Sequence, residues 1–485
     1  MARLAVPSRT SVWAVVPAIA VTAALLAVSG RYGWSRDELY FRVLGEHPAF
    51  GYVDQPPLAP LATRAARAVG GDTVEAVRVL PAFVAGLVVA TTTRITARLG
   101  GGRREQVLAG VAVGVSPILL GSGHLAGTTV YDLLTDALVS LLVVRVLTGE
   151  VRRRTWLALG LVLGVGLEVK LLAAAVAGAL AVGLLATPHR RLARTAGPWL
   201  ALAVAAALVA PYAAWQASHG WPTVGMTGAL SQANGGPVAG LLFAPMAALV
   251  LGPPVALVWV PGLVGCWRDR TGLRAVAVSF VLLVVVFAVS GGKPYYVAGL
   301  LPLLVARGAL AWRGRARAVT VAVGAAGLAT VWLSVPVLPV RATGALGLNA
   351  VNYDLGEQDI WPSLVTQVRG VVDALPPAQR TDAVLVARNY GEAGALALYG
   401  PDLPTAYSGH VSYADVGRPP PGRSSAVVLV GAEPAAVTAA FTRCTVEATI
   451  TDPYGVDGEE VGEPVSVCTG QLRDWDALWP LLRHD

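Results

Sequence analysis

Charged side chains are scarce in this chain, in which Asp, Glu, Lys and Arg together account for 14% of 485 residues. A soluble globular protein carries about 25%, so this shortage excludes an ordinary soluble protein. Hydrophobic residues reach 55%, and the two values together predict a polytopic membrane protein. The net charge of +7 does not indicate a nucleic-acid partner, because the basic residues form short clusters between apolar segments and not one binding face.

Cysteine is equally rare, and the placement of its three copies excludes a cysteine-based metal site. Cys266 ends an apolar segment, whereas Cys444 and Cys468 lie in the polar C-terminal part, and no CxxC pair or His/Cys metal spacing is present. The sequence also lacks a Walker P-loop, a G-x-S-x-G elbow with a matching triad and an H-E-x-x-H helix. We therefore expect none of the chemistry that these motifs perform.

Apolar segments that approach the roughly 20 residues of a membrane span recur through residues 1–340. The eleven spans that we predict are Ser11–Ser29, Val74–Ile95, Gln106–Leu120, Leu133–Leu147, Trp156–Leu167, Leu171–Ala186, Pro198–Trp215, Val238–Val264, Val276–Ser290, Tyr295–Leu310 and Val319–Val335. The first segment also has the pattern of a signal peptide, but the many spans after it favour an uncleaved first helix.

Arginine clusters in alternate loops set the expected orientation. The clusters lie within residues 94–104, 152–154, 190–194, 268–274 and 313–317. The loops 121–131 and 216–237 contain no Lys or Arg. Because cytoplasmic loops are enriched in basic residues, we expect a plasma-membrane protein with a cytoplasmic N-terminus. The first loop, 30–73, and the C-terminal domain would then lie outside the cytoplasm.

Residues 341–485 show the pattern of a small α/β domain. Short β-type runs at 383–387, 426–430, 445–450 and 464–467 are interleaved with helical patterns at 392–398 and 434–441. In an oxidising outer compartment, Cys444 and Cys468 can pair as a disulfide, the alternative being two free thiols.

The first loop contains the strongest functional signal. Trp34–Tyr40 and Tyr52–Leu58 place three carboxylates, those of Asp37, Glu38 and Asp54, beside the membrane surface. Acidic groups near hydrocarbon are costly and usually functional, and this arrangement suits general-base chemistry. A helix over 36–42 and another opened by the proline pair 56–57 would aim Asp37 and Asp54 at a common cleft. The alternative is that Asp37 caps its helix.

Two further outer segments contain candidate residues. Asp132 and Asp136 share one face of an apolar helix, and intramembrane carboxylates are functional candidates, although Asp132 also suits a helix N-terminus and His124 suits a structural hydrogen bond. Lys293, with the tyrosines that follow it, suits a phosphate group, the alternative being a snorkelling lysine in an aromatic belt. Lys170 is a further cation on the same side.

Arg36–Tyr40 and Tyr52–Leu58 resemble the two acidic motifs of the first outer loop in GT-C membrane glycosyltransferases, specifically glycosyltransferase family 39, the dolichyl-phosphate-mannose–protein mannosyltransferase-like group. Lys293–Tyr296 is similar to that family's Lys/Tyr motif. Asn389–Gly394 and Ser408–His410 look like a bacterial, actinobacterial subgroup. The resemblance covers nearly the whole chain and implies a multi-pass GT-C fold of about 11 transmembrane helices with the extracytoplasmic α/β domain.

The resemblance also implies a polyprenyl-phosphate sugar as donor and a glycan, lipid or protein as acceptor. Asp37 would be the general base, Glu38 would share the catalytic motif, and transfer would invert the anomeric centre. The residues expected to bind substrate are Arg36, Tyr40, Asp54, Gln55, His124, Asp132, Asp136, Lys293, Tyr295 and Tyr296. Several relatives carry Glu in place of Asp54, and some carry Lys in place of Gln55. The family does not always need a metal; a divalent ion would be held by Asp37, Asp54 and Asp132.

Two alternatives to an enzyme stay open. A lipid or solute transporter or flippase would use Asp136, Glu168 and Lys170 as a charged pathway, although we find none of the two-half symmetry that transporters show. A non-catalytic cell-envelope assembly protein would use its outer domain to bind a partner.

Overall fold

The computed structural model describes residues 8–270 and 272–484 and is mostly helical, with one five-stranded sheet. The chain forms two compact units. Residues 8–29, 50–59 and 78–335 form the first, which we call the helical unit, and residues 30–49, 60–77 and 336–484 form the second, the sheet unit. The sequence predicted that the whole first loop belongs to the membrane domain. In the structure, most of that loop belongs to the same unit as the C-terminal domain.

The helices before residue 336 follow the apolar pattern of the sequence. They are α1 Val16–Val28, α2 Arg36–Glu46, α3 Leu58–Gly70, α4 Val74–Arg98, α5 Arg103–Gly114, α6 Pro117–His124, α7 Thr129–Leu147, α8 Arg153–Leu167, α9 Leu172–Leu185, α10 Ala196–Ser218, α11 Pro222–Asn234, α12 Pro237–Leu251, α13 Pro253–Trp267, α14 Arg274–Val289, α15 Leu301–Ala309 and α16 Ala316–Thr330. A 3-10 segment, Pro294–Leu300, leads into α15.

By length and composition, four described helices can cross a membrane, or up to seven if each of three bent pairs is one span. The four are Val74–Arg98, Ala196–Ser218, Pro294–Trp312 and Ala316–Leu333, and Val12–Val28 and Arg274–Val289 are shorter apolar helices. The multi-pass helical architecture is therefore present, whereas the count of eleven and the orientation of the termini stay predictions.

The predicted span Val238–Val264 is not one straight helix. Helices α12 and α13 meet there at an angle of 108°, and the break falls at Gly252, whose φ is +99°. The apolar run is unbroken in the sequence, but proline at the start of α13 disfavours a helical conformation for the residue before it. A similar bend of 59° divides the predicted span Gln106–Leu120 into α5 and α6.

Glycines permit the tight crossing of α13 and α15. A Cβ atom on Gly308 would overlap the carbonyl oxygen of Val258, and one on Gly262 would overlap the carbonyl oxygen of Leu304. Small residues at such crossings let helix backbones approach closely in a membrane. Each helix therefore contributes a glycine against which the backbone of the other helix packs.

The sheet unit contains five strands in the order β2-β1-β3-β5-β4. They are β1 Ala383–Ala387, β2 Ala406–Ser408, β3 Ala426–Val430, β4 Phe441–Thr449 and β5 Pro464–Gln471. The helices of this unit after residue 336 are α17 Val340–Ala345, α18 Trp361–Asp373, α19 Pro377–Arg380, α20 Tyr390–Tyr399, α21 Ala435–Thr438 and α22 Trp475–Leu482. Strand β1 pairs in parallel with β2 and β3, whereas β5 is antiparallel to β3 and β4.

Strands β1 and β3 have the bounds that their apolar runs predict, since central strands covered on both faces read as continuous hydrophobic segments. The short edge strand β2 had no such run and was not predicted. Cys444 and Cys468 are directly opposite each other on β4 and β5 and form a disulfide, with their Cα atoms 4.1 Å apart. Trp475 and Trp479 of α22 pack into the core of this unit.

We expect Gly308→Ala to destabilise the helical unit, because the added methyl group must push α13 and α15 apart. Overpacking of this kind costs about 1–3 kcal/mol, which thermal unfolding in detergent will register as a lower midpoint. Gly178→Ala in α9 is the matched control, since a Cβ atom there meets no neighbour within 4 Å and alanine favours the helix. Equal midpoints for the two variants would contradict the tight crossing.

Candidate active site

A capping box at the start of α2 gives the carboxylates of Asp37 and Glu38 different environments. Ser35 Oγ accepts a hydrogen bond from the amide of Glu38 at 3.3 Å, and the Glu38 carboxylate accepts one from the amide of Ser35 at 2.8 Å. These reciprocal bonds satisfy two free amides of the first turn. Glu38 is consequently buried, and the alternative that Asp37 caps the helix is wrong, because Ser35 does so.

Asp37 is the exposed carboxylate of this turn. Its Oδ1 accepts a hydrogen bond of 2.9 Å from the hydroxyl of Tyr390, the first residue of α20. The position of Asp37 in the first turn of α2 also places it in the positive field of the helix N-terminus. The carboxylate is thus oriented by protein groups while it stays open to solvent.

Four rings form a column beside Asp37. The ring of Tyr390 stacks on that of Tyr40 with centroids 4.3 Å apart and on that of His410 at 4.7 Å, and His410 stacks on His484 at 4.8 Å. Tyr40 is 1% exposed, and its hydroxyl accepts a hydrogen bond from the amide of Ser412 at 3.2 Å. Tyr40, which we expected to bind substrate, is therefore a buried ring on which Tyr390 stacks.

Arg36 also has a structural environment in the sheet unit. Its guanidinium forms ion pairs with Glu357 at 2.9 Å, Glu459 at 2.7 Å and Glu460 at 2.7 Å. Burial alone would lower the pKa of Arg36, but the surrounding glutamates outweigh it and hold that pKa above its ordinary value. Breaking a buried ion pair of this kind is strongly destabilising, so the placement of Arg36 favours a structural tie over the substrate contact expected from the sequence.

The helical unit holds the second motif, Tyr52–Leu58, through backbone contacts. Gln216 Nε2 donates to the carbonyl of Tyr52 at 3.1 Å, and Thr223 Oγ1 donates to the carbonyl of Val53 at 2.7 Å. The amide of Leu58 donates to the carbonyl of Glu168 at 3.0 Å. We did not predict the roles of Gln216 and Thr223. The sequence does show a glutamine directly after the predicted span Pro198–Trp215, which indicates a polar contact at that end of the helix.

These contacts leave Asp54 half-buried and Gln55 buried. Within the described ranges, Gln55 Nε2 has no hydrogen-bond partner, which is costly for a buried amide. Asp54 belongs to the helical unit and Asp37 to the sheet unit. Their convergence on a common cleft stays a prediction.

Asp132 and Asp136 lie one turn apart on α7 and are both buried. In the part of the chain that the structure describes, Oδ1 of Asp132 and both carboxylate oxygens of Asp136 have no hydrogen-bond partner. Lys170 acts electrostatically on both carboxylates. Buried acceptors without partners are unusual, so this cluster suits a polar ligand.

Lys170 and the two tyrosines of the later motif lie together. Lys170 Nζ donates to Thr129 Oγ1 at 3.1 Å and lies 5.0 Å from the ring centroid of Tyr295 and 5.9 Å from that of Tyr296. Lys293 is exposed and lines a different cavity of about 250 Å³ with Phe243. The Lys/Tyr motif is therefore divided, and Lys170 is the lysine that accompanies the tyrosines.

His124 contacts a buried arginine. Its Nε2 lies 3.2 Å from a guanidinium nitrogen of Arg78, which is 1% exposed and also donates to the carbonyl of Ser29 at 2.9 Å. This placement supports the structural interpretation of His124. No group of three or more His, Cys, Asp or Glu side chains among residues 8–270 and 272–484 is placed to hold a metal ion, so a metal held by Asp37, Asp54 and Asp132 stays a prediction.

An apolar cavity of about 560 Å³ runs between α7, α8, α9 and α10. Its walls include Leu163, Gly178 and Trp199. Leu167 and Ala174, which flank the turn that contains Lys170, also line it. The apolar walls suit a long apolar chain.

Several known proteins are similar to this chain. The family model described as dolichyl-phosphate-mannose-protein mannosyltransferase matches residues 54–215. The crystal structure of ArnT from Cupriavidus metallidurans bound to undecaprenyl phosphate superposes with a TM-score of 0.61 at 12% identity, covering 93% of this chain and 97% of that one. The apo state of ArnT gives a TM-score of 0.58 at 14% identity, with the same coverage of both chains.

The arabinofuranosyltransferase AftD from Mycobacteria gives a TM-score of 0.52 at 15% identity, covering 96% of this chain but 40% of AftD. No curated protein sequence matches the chain. At these identities the structural likeness is one of fold, and it shows that the chain has the GT-C fold. The family match confirms the resemblance to the mannosyltransferase-like group over residues 54–215, which include most of the second motif.

A buried glutamate should make the folded protein less stable at mildly alkaline pH. Burial raises the pKa of Glu392 to about 8. From the ordinary pKa of glutamate to pH 8 the folded protein binds a proton that the unfolded chain has lost, so stability falls as pH rises. Burial, followed by nearby His484, lowers the pKa of His410 to about 3. This shift makes stability rise with pH, but only up to about pH 6.5, the ordinary pKa of histidine.

We therefore expect a lower midpoint of thermal unfolding at pH 8 than at pH 6.5, and a smaller difference in Glu392→Gln, which cannot release that proton. The measurement uses the full chain in detergent at constant ionic strength. A midpoint that rises over this interval, or an unchanged slope in Glu392→Gln, would show that Glu392 is ionised in the folded state.

Proposed function

We propose that the protein is a glycosyltransferase that moves a sugar from a polyprenyl-phosphate donor to an acceptor hydroxyl on the outer face of the plasma membrane. The observation that carries the proposal is the exposed carboxylate of Asp37, oriented by Tyr390 in the first turn of a capped helix. The GT-C fold and the match to the mannosyltransferase-like family support the reaction class. The disulfide between Cys444 and Cys468 supports an oxidising, extracytoplasmic location for the sheet unit.

In the proposed reaction, Asp37 is the general base. Its carboxylate takes the proton of the acceptor hydroxyl while that oxygen attacks the anomeric carbon of the donor. The bond from the anomeric carbon to the phosphate oxygen breaks, the polyprenyl phosphate leaves with its negative charge, and the configuration inverts. Glu38 is held in the helix cap, so we assign the base to Asp37 alone.

The donor lipid is assigned to the helical unit. The apolar cavity suits a polyprenyl chain, whose burial is favourable by about 25 cal/mol per Å². ArnT, which shares the fold, was crystallised with undecaprenyl phosphate. The phosphate charge that grows in the transition state is assigned to Lys170 and to the hydroxyls of Tyr295 and Tyr296.

Specific sugar contacts are assigned to Asp132 and Asp136. Their unpartnered oxygens accept hydrogen bonds from sugar hydroxyls, and burial strengthens such bonds. Lys293, which lines a separate cavity, is assigned as a second cation for the phosphate. The acceptor is a glycan, lipid or protein hydroxyl.

Replacing the proposed base should abolish transfer without unfolding the protein. We expect Asp37→Asn to lower the rate by at least about 100-fold, the smaller end of general-base contributions, in purified protein incubated with a panel of polyprenyl-phosphate sugars. Release of free polyprenyl phosphate reports turnover and identifies the donor sugar.

Asp402→Asn is the control for that experiment, because Asp402 is 63% exposed and pairs with Arg369 on the surface of the sheet unit. Full activity in Asp37→Asn would refute the assignment of the base. Absence of turnover in the native protein with every donor, together with donor-dependent lipid movement across vesicles, would favour the flippase alternative.

Filling the apolar cavity should discriminate between donors of different length. We expect Gly178→Phe to raise the KM for a long polyprenyl donor about tenfold, because the ring occupies the path of the chain, and to leave the KM for a ten-carbon prenyl donor nearly unchanged. Gly225→Phe is the matched control, since its added Cβ atom also meets no neighbour and it lies on α11, away from the cavity. A tenfold change is about 1.4 kcal/mol. An equal effect on both donors would place the chain elsewhere.

A further inference from the structure

We propose that Tyr390 is a positioning residue for the base: its hydroxyl fixes one oxygen of Asp37 and leaves the other to take the proton of the acceptor. The inference rests on the proposed role of Asp37 and deepens it. The hydrogen bond of 2.9 Å from Tyr390 reaches Oδ1. In the described ranges, Oδ2 of Asp37 makes no hydrogen bond, and the side chain is exposed.

The ring column holds the Tyr390 hydroxyl in place. Tyr390 lies between Tyr40 and His410, with interplanar angles of 22° and 14°, and His410 is backed by His484 at 2°. A ring enclosed on both faces cannot leave its rotamer without losing two stacking contacts, each about 0.5–1.5 kcal/mol. The hydroxyl at its edge is therefore presented in one direction.

The segment Asn389–Gly394 brings that column to α2. Asn389 and Glu392 form a capping box that starts α20 at Tyr390. A Cβ atom on Gly391 would lie 2.6 Å from Cγ of Arg36, and one on Gly394 would lie 3.0 Å from Cβ of Leu39. Both glycines therefore face α2 and permit the close approach that the hydrogen bond needs.

This geometry explains why the C-terminal domain is part of the catalytic apparatus and not only a partner-binding module. A base must be held within hydrogen-bond reach of the proton that it removes, and a side chain on an exposed helix end rotates freely unless it is held.

Other charged groups surround the pair and must be unchanged in the test. The titratable and charged side chains on the elements packed around Asp37 and Tyr390 are Arg36, Glu38, Tyr40, Glu357, Glu392, His410, Glu459, Glu460 and His484. Tyr390→Phe removes one hydroxyl and keeps the stacked ring, so it alters none of these groups.

We expect Tyr390→Phe to lower kcat about tenfold, the factor that corresponds to one hydrogen bond to a charged group, with the KM of the donor unchanged. The two kinetic constants are measured with the full chain in lipid nanodiscs, using the donor found in the panel.

Tyr407→Phe is the matched control, because the ring of Tyr407 contacts Trp479 and, within the described ranges, forms no hydrogen bond with Asp37. A native kcat in Tyr390→Phe, together with an inactive Asp37→Asn protein, would overturn the positioning role and leave the proposed function standing. An active Asp37→Asn protein would overturn both. A lower kcat accompanied by an equally weakened donor KM would reduce Tyr390 to a packing role and overturn the inference.

Discussion

The capping box of α2 is the interaction on which the rest of the account depends. It uses the carboxylate of Glu38 to close the first turn, and it thereby directs the neighbouring Asp37 outward. Each helix start leaves free amides that must find acceptors, so a buried and an exposed carboxylate next to each other is the natural result of the cap.

The two units supply complementary parts of the proposed chemistry. The sheet unit contains Asp37, the proposed base, and Tyr390, while the helical unit contains the apolar cavity and the cluster of Lys170, Tyr295 and Tyr296. The chain has two lysines: Lys170 accompanies Tyr295 and Tyr296, whereas Lys293 lines a separate cavity. Separate units for lipid and base permit a polar acceptor and an apolar donor to be recognised by different surfaces.

Much of the fold could be predicted because apolar runs and basic loops follow simple rules of membrane solvation. The strands Ala383–Ala387 and Ala426–Val430 were predicted to the residue for the same reason. The division at Gly252 was missed, although the prolines after it carried the signal. The S-x-x-E pattern from Ser35 to Glu38 is typical of a capping box. The contact of Asp37 with Tyr390 joins residues 353 positions apart, so no local pattern could reveal it.

The central claim is that a carboxylate at position 37 faces the outer side of the membrane, where it can act on a sugar carried by a lipid. Labelling of an Asp37→Cys variant with a membrane-impermeant maleimide in intact cells measures this directly, since Cys266 is buried and the other two cysteines are joined. The account predicts rapid labelling from outside. Labelling that appears only after the membrane is permeabilised would contradict it.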